Sequence, residues 1–228
     1  MILGLGLQPH ARCFEEINRA VAQMTTRLVV FNAHTSPFVP TNAIVYNFEN
    51  IPQQLNPARW ANHEVWDFNE ANAAKYWAKY VPIGYHPSME CFKPQPIKLW
   101  DVIFFGSINE RRTKVIEGLR NKGLTVQTLF GVYGEDRDRA IASSRLAINM
   151  FYYEGGVFPA LRVAHCVANK VPIVSEYCSD GWDFLEHVPY EGLVDEVCRA
   201  LSTDLHERAE RAYQAFKKMP FVLPVESA

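Results

Sequence analysis

The stretch DVIFFGSINERRTKVIEGLRNKG (101–123) decides the fold. Its opening run DVIFFGS is nearly continuous in apolar residues, the pattern of a strand buried on both faces of a parallel sheet. Gly106-Ser107 ends the run. Asn109 then caps a helix with Val115, Ile116 and Leu119 on its core stripe and Gly123 as its stop signal. A strand that turns at once into a helix is half of a βαβ crossover.

Downstream the same alternation continues. LTVQTLF (124–130), RLAINMF (145–151) and VPIVSE (171–176) read as strands, and EDRDRAIASS (135–144) and FPALRVAHCVANK (158–170) as helices. A short helix over 182–186 and helices over 191–202 and 204–218 complete the second half. Upstream, strands are expected at 2–7, 27–31, 42–48, 63–68 and 81–85, with helices at 13–24 and 69–80. Residues 86–100 hold three prolines and no period, and read as a linker. The expected organisation is an N-terminal Rossmann-like domain over 1–85, the linker, a C-terminal Rossmann-like domain over 101–203, and a helix and tail over 204–228.

Composition narrows the function classes. The 228 residues are 48% hydrophobic and 21% charged, and the formal net charge is -2. No global basic field draws such a chain to nucleic acid or anionic lipid, although a local patch is compatible with that balance. Cys13, Cys91, Cys166, Cys178 and Cys198 are odd in number and form no CxxC pair, so neither a zinc knuckle nor a disulfide framework is expected. With no signal peptide at MILGLGLQPHARC and no run long enough to span a bilayer, the expected location is a reducing cytoplasm.

The residues with chemical potential gather at the carboxyl ends of strands, where open α/β sheets bind ligands. In FFGSINERR, the helix that begins two residues after Gly106-Ser107 offers free backbone N–H groups and its dipole to an anion, and Gly106 lets the backbone approach the ligand. Arg111 and Arg112 lie in the first helical turn, where cations oppose the dipole unless an anion is present. In FYYEGGVFPALRV (151–163), Glu154 suits sugar hydroxyls, Gly155 and its neighbour expose N–H groups, and Arg162 suits a phosphate. Ser175-Glu176 ends the next strand. Each segment alone also reads as an ordinary turn with solvated charges; their coincidence on one sheet edge is the signal. In the first half, His10, Glu49 and Asp67 qualify by position as a general base, while Asp67 also reads as a cap for the helix over 69–80 and Glu49 as a structural partner of loop amides. GLGLQPHA (4–11) misses the dinucleotide fingerprint, because His10 stands at the third glycine.

The order of these motifs resembles the GT-B glycosyltransferases, and among them a small bacterial and phage group. That group's Tyr-Asn-x-Glu strand, Trp-Asp-x-x-x-x-Asn segment, Pro-x-Gly-Tyr turn and Gly-Ser…Arg-Arg turn are matched by YNFEN (46–50), VWDFNEAN (65–72), VPIGYHP (81–87) and FGSINERR (105–112). FGVYGEDRDRAIASSRLAINMFYYEGG (130–156) and LRVAHCVANKVPIVSE (161–176) follow, so the likeness covers roughly 43–202. It implies two Rossmann-like domains facing a cleft, and metal-independent transfer, retaining or inverting, from a nucleoside diphosphate sugar, with no cofactor required. Gly106, Ser107 and Arg112 would then lie by the diphosphate and Phe130 and Gly131 by the nucleoside. Glu154 and Arg162 would lie by the ribose, diphosphate or donor sugar. Many relatives carry two Glu residues eight apart here; the second falls on Arg162, and Glu176 is the substitute. The implied acceptor is a glycan or a hydroxymethylated base of phage DNA, and self-association is left open. A non-catalytic nucleotide-binding module and an epimerase are the competing classes.

Overall fold

The computed structural model describes residues 15–31, 38–48 and 60–224, so the strand expected at 2–7 lies outside the described residues. The chain divides into two compact units. One ends at Met89 and takes in the chain again from Pro220; the other runs Glu90–Met219.

The first unit holds four parallel strands in chain order: β1 (Val29–Phe31), β2 (Ile44–Asn47), β3 (Glu64–Asp67) and β4 (Lys79–Tyr80). Helix α1 (Glu15–Met24) buries Ile17, Ala20 and Val21, the stripe that its three-to-four spacing predicts. Helix α2 (Glu70–Tyr76) starts at Asn69, whose side chain accepts the Asn72 N–H at 3.0 Å. It stops early, at Trp77, whose backbone is left-handed (φ 54°). The expected helix to residue 80 is therefore too long. The expected strand at 81–85 is displaced: pairing with β3 is made by Lys79 and Tyr80 instead. Tyr85 bridges to Pro220, and Phe221, itself buried, donates its N–H to the Tyr85 carbonyl at 2.8 Å.

The second unit holds five parallel strands: β5 (Trp100–Phe105), β6 (Val126–Leu129), β7 (Ser144–Asn149), β8 (Ile173–Glu176) and β9 (His187–Val188). Helices α3 (Glu110–Asn121), α4 (Gly134–Ala142), α5 (Ala160–Ala168), α6 (Leu193–Leu201) and α7 (Leu205–Phe216) alternate with and follow them. Val102, Phe104, Leu146, Ile148 and Val174 from the sheet pack with Val115, Ile116 and Leu119 of α3 and Val197 of α6 in one core cluster. The expected helix over 182–186 is absent. Its place is taken by a turn leading to β9, too short and too polar at His187 to show a strand period in the sequence. Residues 91–99 join this unit: the Cys91 and Phe92 N–H groups donate to the Asn169 side chain, Gln95 to Ala142 and Leu99 to Ser143.

The strand order β6-β5-β7-β8-β9 matters most for function. The chain leaves β5 to one side and returns to β7 on the other, so the connections diverge between these two strands. A crevice opens at the carboxyl ends of strands at such a switch point. The chain is thus mixed α/β with parallel sheets.

Candidate functional site

The switch point is lined by Gly106-Ser107 after β5 and by Met150-Phe151 after β7. Gly106 adopts φ 146°, a conformation that side chains rarely enter. A Cβ there would lie 2.8 Å from Arg162 Nη2 and 3.3 Å from the Phe104 ring. The glycine therefore serves close approach: it lets the Arg162 guanidinium of α5 lie against the backbone at the end of β5.

Arg162 donates through Nη1 to the Asn149 side-chain oxygen at 3.0 Å and to the Met150 carbonyl at 3.4 Å. Asn149 is fully buried, and its amide nitrogen donates to Ser175 Oγ at 2.9 Å, which turns its oxygen toward the arginine. Arg112 approaches the same spot from α3. It is 4% exposed and donates to the carbonyls of Ser107 (2.6 Å), Met150 (2.6 Å) and Phe151 (3.2 Å). Two guanidinium groups thus share the Met150 carbonyl, and among the described residues neither forms an ion pair with a carboxylate. Burial first, then the like charge of Arg162, pulls Arg112 down to about 9; burial pulls Arg162 down to about 10. Both remain cations at neutral pH, in surroundings that disfavour their charge.

Arg111 behaves differently. It faces Glu176 at the end of β8 in a two-pronged ion pair, with Nη1 to Oε2 at 2.8 Å and Nη2 to Oε1. Its guanidinium lies 3.8 Å over the Tyr190 ring. Glu176 also accepts the Phe151 N–H at 2.8 Å. The pair holds the ends of β7 and β8 to the start of α3. Asn109 reinforces the junction: its oxygen accepts the Arg112 N–H at 3.0 Å and its amide donates to the Tyr152 carbonyl at 2.7 Å.

The structure therefore brings Gly106, Ser107, Arg111, Arg112, Arg162 and Glu176 to one sheet edge, with Glu154 and Gly155 on the exposed turn after β7. Phe130 and Gly131 follow β6 on the outer side of β5; Phe130 is exposed and Gly131 is left-handed (φ 70°). Asn149 is the contributor that the sequence reading passed over. Its signal was available, as a polar residue in the otherwise apolar run LAINMF.

In the first unit, His10 and Glu49 lie outside the described residues. Asp67, at the end of β3, is 2% exposed. Asn47 donates its side-chain amide to one carboxylate oxygen at 2.7 Å, and the Asn69 N–H donates to the other at 2.8 Å. Burial outweighs these hydrogen bonds and lifts the carboxyl from 3.8 to about 6. Among the described residues no group of three or more His, Cys, Asp or Glu is placed to hold a metal ion, and no helix is long and apolar enough to cross a membrane.

Similarity to known proteins agrees with this geometry at the level of fold. AviGT4, a glycosyltransferase involved in avilamycin A biosynthesis, superposes with a TM-score of 0.51 over 92% of this chain and 85% of its own, at 14% identity. The chain shares the fold of a glycosyltransferase. No protein-family model matches it. Three uncharacterized proteins of Acanthamoeba polyphaga mimivirus are similar in sequence: L138 (28% identical over 144 residues), L137 (31% over 81) and L140 (28% over 115). The matched parts are 54%, 35% and 46% of this chain but 16%, 11% and 38% of those proteins. The chain therefore spans a minor part of the curated relatives it matches.

Proposed function

We propose that the chain is a metal-independent glycosyltransferase of the GT-B type, moving a sugar from a nucleoside diphosphate sugar to a hydroxyl of a glycan or of a hydroxymethylated base in DNA. One observation carries this reading. Arg112 and Arg162 meet at the switch point of a parallel sheet, and among the described residues no carboxylate is paired with either. Two cations side by side, one buried and one partly so, are costly unless a ligand supplies the opposite charge. A diphosphate leaving group supplies it, and gains further charge as the glycosyl bond breaks, so the same cations stabilise the transition state more than the ground state.

The two arginines divide the work. Arg112 is enclosed and has three donors committed to carbonyls, so it acts through its field. Arg162 is partly exposed, and among the described residues its Nε and Nη2 donate to nothing; these donors contact the diphosphate. Ser107 and the amides at the start of α3 complete the cradle. Phe130 and Gly131 lie on the nucleoside side and Glu154 on the sugar side. Glu176 is assigned to holding Arg111 rather than to ribose. In the first unit Asp67 is the base: at about 6 it is ionised at neutral pH yet basic enough to take a hydroxyl proton. A non-catalytic nucleotide-binding module remains the second reading, and the burial of Asp67 favours it.

Calorimetric titration with UDP, GDP and ADP tests the site. Arg162→Ala is expected to weaken the preferred diphosphate by roughly 1.5–3 kcal/mol, the worth of a charge-assisted contact. Affinity equal to wild type would remove Arg162 from the site and the diphosphate from the switch point. Hydrolysis of nucleotide sugars separates the two readings, since a binding module holds the diphosphate without turnover.

A further inference from the structure

The loops after β7 and β8 form one surface. Cys178 Sγ donates to the Gly156 carbonyl at 3.3 Å, and the Phe158 N–H reaches both oxygens of Asp180 at 3.3 Å. Phe158 is buried beneath the surface, its ring 5.3 Å from that of Trp182. Three tyrosines stand on this base. Tyr152 and Tyr153 pack edge to face at 4.7 Å, and Tyr153 and Tyr177 are 67% and 62% exposed. The shelf begins at the cation centre, because the Arg112 guanidinium lies 5.2 Å from the Tyr152 ring.

Charge selects the occupant. Residues 151–159 and 177–184 contain no Lys or Arg, while Glu154, Asp180 and Asp183 lie in these loops and are exposed. A nucleic-acid strand brings a phosphate every few ångströms and needs cations along its path. An anionic lipid surface needs them too. A neutral sugar chain needs neither. Its pyranose rings present apolar C–H faces that lie on aromatic rings, and their rims of hydroxyls donate to carboxylates.

We propose that the tyrosine shelf formed by the ends of β7 and β8 binds a neutral saccharide chain, with Tyr153 and Tyr177 as stacking platforms. This rests on the transferase reading in one respect: within it, the shelf makes the acceptor a glycan and not a base in DNA. The binding itself does not depend on that reading.

The test uses the whole chain and four probes: maltohexaose, cellohexaose, chitohexaose and the oligonucleotide dT20, each followed by saturation-transfer NMR and by titration of tyrosine fluorescence. At least one hexasaccharide is expected to bind and dT20 not to bind. Tyr153→Ala and Tyr177→Ala are expected to weaken the hexasaccharide about tenfold each, a stacking contribution of usual size. Tyr153→Phe, which keeps the ring face, is expected to restore it. UDP affinity should be unchanged in all three variants, which also shows that they are folded. No binding of any hexasaccharide overturns the proposal. So does binding that ignores the tyrosines, and so does preference for dT20. If the variants lose affinity for UDP-glucose but not for UDP, and hexasaccharides do not bind, the shelf belongs to the donor sugar and the proposal fails. Hexasaccharide binding without any nucleotide binding would leave the shelf standing and sink the transferase reading alone.

Discussion

Two residues show how local chemistry sets the behaviour of each unit. Gly106 is indispensable for two separate reasons: its φ of 146° and the guanidinium within 2.8 Å of where a Cβ would stand. Gly106→Ala is expected to cost about 1–3 kcal/mol of stability through backbone strain and the displacement of Arg162. Diphosphate affinity should fall with it. Urea denaturation and calorimetry on the same sample check both; a stable variant with full affinity would mean that Arg162 need not lie against that backbone. Asp67 gives a pH signature. Its carboxyl titrates at about 6 in the folded chain and near 3.8 when unfolded. Between roughly pH 4 and 6 the folded state keeps a proton that the unfolded state has lost, so stability falls as pH rises through this window. Relative to Asp67→Asn, wild type should therefore lose about 2 kcal/mol from pH 4 to pH 7, because one proton must leave a carboxyl that holds it more tightly when folded. Parallel urea titrations at each pH measure it, and identical slopes would show that this carboxyl is not held protonated.

At the scale of elements, what was legible depended on whether a segment carries its own signal. The strand and helix of 101–123 did, because a doubly buried strand is apolar throughout and Asn109 and Gly123 mark the helix ends. The β7–α5 and β8 segments were legible for the same reason. Strand β4 was not: both residues are exposed, so no apolar run marks it, and of Val81 and Ile83, which do look like a strand and are buried, Val81 only closes the ladder, donating its N–H to the Asp67 carbonyl at 2.8 Å. Helix α2 ended early at a left-handed tryptophan, a residue that gives no stop signal. The candidate site divides in the same way. Gly106, Ser107, Arg112 and Arg162 could be placed at one edge because each follows or faces a strand end. That Arg111 is matched to Glu176 while Arg112 and Arg162 are unmatched depends on side-chain reach across 65 residues of sequence, and no local pattern encodes it.

At the scale of the molecule, the two units differ in how they are assembled. The second is continuous, from Glu90 to Met219; the first is completed by the chain from Pro220 onward. Phe221 carries that closure, buried and hydrogen-bonded to Tyr85. Phe221→Ala is expected to destabilise the first unit by about 3–5 kcal/mol, as for a deleted core aromatic, while the second keeps its stability. Trp60 and Trp66 report on the first unit and Trp100 and Trp182 on the second, so unfolding followed through tryptophans replaced one at a time resolves them. Equal changes in both would show that the two unfold as one. The split make-up of the first unit also orders events on the ribosome. Domains ordinarily mature in the order in which they are translated. Here the unit begun first cannot gain its last core aromatic until the other has been synthesised entirely, so the second unit is free to mature while its predecessor still waits for Phe221.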